Sequence, residues 1–242
     1  MKEISEAEIA AIVDVIPDAN VVLFCPSLQG HGATLRDRSQ YANHGTITSA
    51  LWKKLPRGLS ALSFDGNGDR VDFGAGTSLN LTTKLTIAFW LNLTSLTQTQ
   101  DGGSPHIISK GSIDASNRAY YVFFSNSSKR IGFVFQKSST FYQAYPTKAD
   151  WAAGTWYHIV ATFNNTLPSA NMVFYFNGAS IATGNASGVS IPVSAYNLRM
   201  GVRANTTVGI NAQIALLLVK NTALSATDVL RLYTRQRRLL GV

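Results

Sequence analysis

Between Thr86 and Leu93 the chain reads Thr-Ile-Ala-Phe-Trp-Leu-Asn-Leu, which puts Ile87, Phe89, Leu91 and Leu93 on one face of an extended strand. Similar runs return at Leu59 to Phe64, Ala119 to Phe124, Arg130 to Gln136, Trp156 to Phe163, Met172 to Phe176 and Gln213 to Val219. Their tyrosines, phenylalanines and β-branched residues suit a half-buried pleated surface. Turn signals separate them: Asp65-Gly66-Asn67-Gly68, Ser125-Asn126-Ser127-Ser128 and Asn177-Gly178. Many short strands joined this way predict an all-β, antiparallel two-sheet jelly-roll sandwich with one core. The 242-residue length suits one such domain, and no charged or Pro-rich linker interrupts it.

Two helical signals flank the strands. Ser5 and Glu8 fit a capping box, Ile9, Ile12, Val13 and Ile16 follow at helical spacing, and Pro17 stops the run. Residues 1–20 therefore read as an amphipathic N-terminal helix or arm, and residues 21–242 as the sandwich domain. At the other end Ser225 precedes Asp228, Val229, Leu232 and Tyr233, and Arg231, Arg235, Arg237 and Arg238 load the final turns. This predicts a helix over about 225–239, with its charges arranged to suit the helix macrodipole.

Charge divides unevenly along the chain. Twenty-one Lys and Arg oppose thirteen Asp and Glu, a net +8. Through Asn20 one lysine faces five carboxylates, a net −4, so the remainder carries +12. All three glutamates, Glu3, Glu6 and Glu8, lie in the arm, which removes any mechanism that needs a Glu in the folded body. The single cysteine, Cys25, sits in the apolar run Val21 to Cys25 and reads as an inert core thiol. The first residues are too acidic for a signal peptide, and no apolar stretch approaches the roughly 18 residues of a membrane span, so synthesis in a cytoplasm and no membrane partner are expected.

A further set of short motifs runs in a recognisable order: Asp37-Arg38-Ser39, Asn43-His44-Gly45-Thr46-Ile47, Gly58 to Gly66, Arg70-Val71-Asp72-Phe73, Leu85 to Trp90, Ile107 to Gly111, Trp156 to Ala161, Tyr175 to Gly178 and Ala223 to Ala226. Together they resemble the laminin-G-like, concanavalin A-like jelly rolls of the lectin and glucanase superfamily, over roughly Val21 to Tyr233. The run from Asp37 to Gly66 also resembles stand-alone domains encoded among phage structural genes. Read as residues alone, Trp90 and Trp156 are expected to fill the core, and Asn177-Gly178 to form a hairpin. His158 reads as a packed, hydrogen-bonded histidine rather than a ligand or base.

The resemblance sets expectations for chemistry. Glucanases of the superfamily would imply a Glu-x-Asp-x-x-Glu strand, which this chain lacks; Asp65, Asp69 and Asp72 read as Ca²⁺ ligands or turn caps, so no catalytic residue and no enzyme activity are expected. The family's Ca²⁺ would imply a late Asp in a Gly-x-Ile-Asp segment. Here the stretch is Ala212-Gln213-Ile214-Ala215, so calcium is disfavoured and no metal ligand or cofactor is assigned. Phe141, Tyr142 and Tyr145, flanked by Lys148 and Asp150, are the candidate glycan-binding residues, with one face of their strand expected to be core. Ile9, Ile12, Val13, Ile16, Arg235, Arg237 and Arg238 are the candidate assembly contacts. The positive charge comes with no nucleic-acid-binding motif, so nucleic acid is not expected as a partner. The resulting expectation is a non-enzymatic virion protein, a phage capsid decoration or tail component, partnered by other virion proteins or copies of itself and by host or environmental glycans. The alternative is a carbohydrate-binding module of a cellular surface or exported protein.

Overall fold

The computed structural model describes residues 18–98, 104–111, 117–203 and 208–242. In them the alternating runs pair into two sheets of eight strands, antiparallel throughout. The first sheet follows the order β14 (Ala179–Gly184), β13 (Met172–Phe176), β12 (Trp156–Asn164), β7 (Lys84–Leu93), β16 (Val208–Lys220), β5 (Ser60–Asn67) and β4 (Leu51–Lys54). Its eighth strand, β1 (Val21–Cys25), pairs with the later half of β16. The second sheet runs β11 (Thr140–Ala144), β10 (Arg130–Lys137), β9 (Arg118–Ser125), β8 (His106–Lys110), β15 (Leu198–Met200), β6 (Arg70–Asp72), β3 (Gly45–Thr48) and β2 (Thr34–Leu35). This is the all-β sandwich expected from the sequence.

Ile87, Phe89, Leu91 and Leu93 of β7 all enter the core between the sheets, with Tyr120, Val122 and Phe124 of β9 and Phe133 and Phe135 of β10. Burying each such side chain stabilises the fold by about 1.5–3 kcal/mol. Asn177 and Gly178 adopt φ of 47° and 83° and join β13 to β14, the pair of left-handed residues that a tight hairpin requires.

Strand β16 carries a bulge that organises the first sheet. Leu216 adopts a φ of 54°, and its amide donates to Ser27 Oγ at 2.7 Å. The extra residue resets the alternation, so Ala212 and Ile214 face the core before it and Leu217 and Val219 face it afterwards. The same point separates the segment of β16 paired with β5 from the segment paired with β1.

A helix, α1 (Ala226–Leu240), covers the outer face of the first sheet. Ser225 caps it by accepting from the Asp228 amide at 3.2 Å, and Gly241 ends it. Val229 and Leu232 pack on Val21, Phe24, Ala88, Val160 and Leu218, while Leu239 and Leu240 pack on Leu59, Trp90, Ala215 and Leu216. Strand β7 is thus buried on both sides. Trp90 and Trp156 belong to this second core, not to the one between the sheets: the alternation that sends Phe89 inward sends Trp90 outward beneath α1. Among the described residues no helix is long and apolar enough to cross a membrane.

The Asp37-to-Gly45 motif is a loop scaffold. Buried Asp37 accepts from the amides of Phe24, Ser39 and Asn43, each at 2.8 Å, and from Ser39 Oγ at 2.6 Å. Asp37→Ala is expected to lower stability by about 2–4 kcal/mol, because several donors lose their acceptor together; a shift in the urea midpoint measures it.

Candidate functional site

With α1 across the first sheet, the outer side of the second sheet is the remaining broad face of the sandwich. Register builds it in rows. One runs from Asp72 through Arg199, Ser109, Tyr121 and Val134 to Gln143. The next sets Arg118, Gln136 and Phe141 side by side. A third pairs Phe123 with Gly132, with Tyr145 just past the end of β11.

Aromatic rings form a continuous band over these rows. The His106 ring stacks on Tyr121 with centroids 4.5 Å apart, Tyr121 lies 5.8 Å from Phe123, and Phe123 stacks on Tyr145 at 5.7 Å. Gly132 makes the last pair possible: a Cβ there would stand 2.4 Å from Tyr145 Cδ2 and 3.1 Å from Phe123 Cε1. The Tyr145 hydroxyl is hydrogen-bonded to Ser128 Oγ. Arg118 lies 5.5 Å from the centre of the Phe141 ring and Arg130 lies 5.8 Å from that of Tyr145, within reach of cation–π attraction.

Burial, reinforced by Arg203 and Arg118, lowers His106 to about 3, so its ring is neutral and adds no charge. Burial also pushes the Tyr121 hydroxyl up. Asp72 is the carboxylate of the row, and Arg199 at 3.0 Å, Asn197 at 2.9 Å and the Gly74 amide hold it. Burial opposes its ionisation, but these hydrogen bonds outweigh burial and lower its pKa. Among the described residues, Gln136 Oε1, His106 Nδ1 and Arg130 Nε are buried polar atoms with no hydrogen-bond partner.

The three candidate rings divide as a strand must divide them. Phe141, 51% exposed, and half-buried Tyr145 stand on the outer face. Tyr142 turns the other way and stacks on Phe135 at 5.0 Å, at the margin of the inter-sheet core, so it is withdrawn from that face. Lys148 and Asp150 do not flank the rings with free charges. They pair at 2.7 Å, and Lys148 lies over Phe176 at 4.5 Å and Trp151 at 5.2 Å.

The other candidates lie elsewhere. Arg235, Arg237 and Arg238 are exposed on α1, with Arg237 Nε donating to the Val242 carbonyl at 2.9 Å. Ile9, Ile12, Val13 and Ile16 lie outside the described residues. Asp65 and Asp69 organise a turn: the Asp65 amide donates to Asp69 Oδ2 at 2.9 Å, and the Asn67 amide to Asp65 Oδ1 at 2.7 Å. Burial raises Asp69. Ala215 lies beneath α1, and among the described residues no group of three His, Cys, Asp or Glu side chains is placed to hold a metal. His158 is fully buried between Trp90, 5.2 Å away, and Tyr233, 5.9 Å away. Among the described residues neither ring nitrogen has a hydrogen-bond partner, which corrects the expectation of a hydrogen-bonded histidine.

Arg118, Phe123, Arg130 and Gln136 were not among the sequence candidates. Their signal was present in the alternation of β9 and β10, whose non-core positions carry rings and arginines where a merely solvated face would carry small polar groups.

Two antiparallel sheets with a ring-bearing outer face define a lectin-like sandwich. The model of the concanavalin A-like lectin/glucanases superfamily matches residues 65–230, and the chain belongs to that family. No curated protein matches it in sequence. Among solved structures, the botulinum neurotoxin serotype D ligand-binding domain in complex with N-acetylneuraminic acid is similar, with a TM-score of 0.69 and 15% identity over 95% of this chain and 53% of that one. The binding domain of Paraclostridial Mosquitocidal Protein 1 gives 0.66 and 13%, over 88% of this chain and 52% of that one. Trypanosoma rangeli sialidase in complex with sialic acid gives 0.65 and 14%, over 93% of this chain and 34% of that one. The chain thus spans about half the length of the toxin domains and a third of the sialidase, and at these identities the likeness is one of fold.

Proposed function

We propose that this chain is a non-enzymatic, lectin-like structural protein of a virion, a capsid decoration or tail component, that holds a glycan on the outer face of its second sheet. The observation that carries the glycan reading is the band of Phe123, Tyr145 and Phe141 with arginines over two of its rings. Apolar ring faces pack on sugar C–H surfaces, and the adjacent donors orient the hydroxyls. Similar folds seen with N-acetylneuraminic acid and with sialic acid support this class of ligand. The non-enzymatic reading rests on the carboxylates: Asp65, Asp69 and Asp72 are held in a turn and an ion pair, and Glu is absent beyond Glu8. No metal is assigned to the site. The virion reading rests on the motif run from Asp37 to Gly66, and its protein partners would be other virion proteins and further copies of the chain.

Binding to a glycan array is expected, and Phe141→Ala and Tyr145→Ala should each weaken it about five- to thirtyfold, as lost ring stacking of about 1–2 kcal/mol implies. Binding unchanged in both variants would remove this face from the account. Mass spectrometry of purified particles tests the virion assignment independently.

A further inference from the structure

Within that reading, we propose that the ligand is a linear glycan chain laid along β11 and bound over three or more consecutive sugars, not a single terminal sugar. The ground for this is the alternation of β11. Phe141, Gln143 and Tyr145 share the outer face, so the order along it is ring, amide, ring. Phe141 and Tyr145 are four residues apart along an extended segment, so their Cα atoms stand about 13 Å apart. That is farther than the centres of two adjacent pyranoses. One sugar therefore fills one ring site, and only a chain fills both.

The two ring sites are built separately. Tyr145 stacks on Phe123 across Gly132, where a side chain would displace both rings. Phe141 stands 51% exposed beside Gln136, which is 6% exposed and whose Oε1 has no hydrogen-bond partner among the described residues. A buried acceptor left unmatched beside an open ring suits the hydroxyl of a sugar lying on that ring. Between the two sites Gln143 is exposed, opposite buried Val134, and its amide makes no hydrogen bond among the described residues. An amide both donates and accepts, so it matches the hydroxyls of a sugar spanning the gap. None of these contacts depends on a charge, so neutral and acidic chains fit alike.

The test is a length series. Cello-oligosaccharides, N-acetylchito-oligosaccharides and α2,8-linked oligosialic acids of one to six sugars are titrated into the full chain by calorimetry. In at least one series affinity should rise about tenfold between disaccharide and tetrasaccharide, as a second stacked ring implies, and then level off. Phe141→Ala should bring the tetrasaccharide down to the disaccharide's affinity and abolish the gain with length. Gln143→Ala should weaken the tetrasaccharide about two- to tenfold and leave the monosaccharide unchanged. Both positions are exposed, so neither variant disturbs the core. A monosaccharide or disaccharide bound as tightly as the tetrasaccharide would overturn the chain inference while leaving the glycan reading standing. A gain with length that survives Phe141→Ala would also overturn it, since the chain would then not span the two rings. No saccharide bound by a folded wild-type protein would remove both.

Discussion

Trp90→Ala is expected to cost about 3–5 kcal/mol of stability, the range for emptying a large aromatic from a closed core. Trp90 is fully buried, in a central strand whose other face already fills the space between the sheets. Its indole rests beneath α1, and its Nε1–H donates to Gln236 Oε1 at 2.8 Å. The truncation therefore leaves a cavity under the helix and strands a buried amide. Gln236→Leu should cost about 1–3 kcal/mol because it orphans the indole N–H. Trp90→Phe combined with Gln236→Leu should cost less than the two single changes added together, because donor and acceptor leave as a pair. Urea unfolding of the four proteins measures the coupling, and strict additivity would mean that α1 is not held through this bond.

The second large effect is acid sensitivity. Burial alone lowers His158 to about 3, and burial with Arg203 and Arg118 does the same to His106. In the unfolded chain each returns to about 6.5. Between those values the unfolded state binds more protons, so stability present above pH 6.5 is lost as pH falls towards 3. Each histidine contributes a slope of about 1.4 kcal/mol per pH unit, or about 3 kcal/mol between pH 6.5 and 4. Asp18 and Asp72, both lowered, lose their contributions at the acid end of this window, where Asp69, raised, acts in the opposite sense. His158→Phe should remove its share of the slope while preserving the stack between Trp90 and Tyr233. Denaturant midpoints of wild type and variant at pH 4, 5, 6 and 7 give the comparison. Parallel profiles would contradict the assignment.

How much of this was legible before folding depends on whether a feature is local. Strands β7, β9, β10, β12, β13 and the later part of β16 announce themselves by alternation or apolar runs, and Asn177-Gly178 announces its hairpin. Leu51-Trp52-Lys53-Lys54 does not read as a strand, because β4 is an edge with little buried surface to impose a pattern. Thr34-Leu35 and Leu198 to Met200 are too short for any period to show. Trp90 misled because a strand buried on both faces has no polar side to distinguish its two cores. Lys110 gave no hint of being buried, yet its ammonium donates to the Tyr196 carbonyl at 2.8 Å and burial lowers it to about 8. The candidate face was legible only in part. Phe141 and Tyr145 lie close together in the chain, but the neighbours that give them chemistry, Arg118, Phe123 and Arg130, arrive through the β9–β10–β11 register, which no local pattern specifies.

The central claim, that the outer side of the second sheet is the glycan platform, is tested most directly by chemical-shift mapping of the isotope-labelled protein with its best-bound oligosaccharide. Perturbations are predicted at Arg118, Phe123, Gly132, Gln136, Phe141 and Tyr145, with α1 and the outer face of the first sheet silent. Perturbations confined to α1, or to the turns at the ends of the sandwich, with β9, β10 and β11 unmoved, would contradict it.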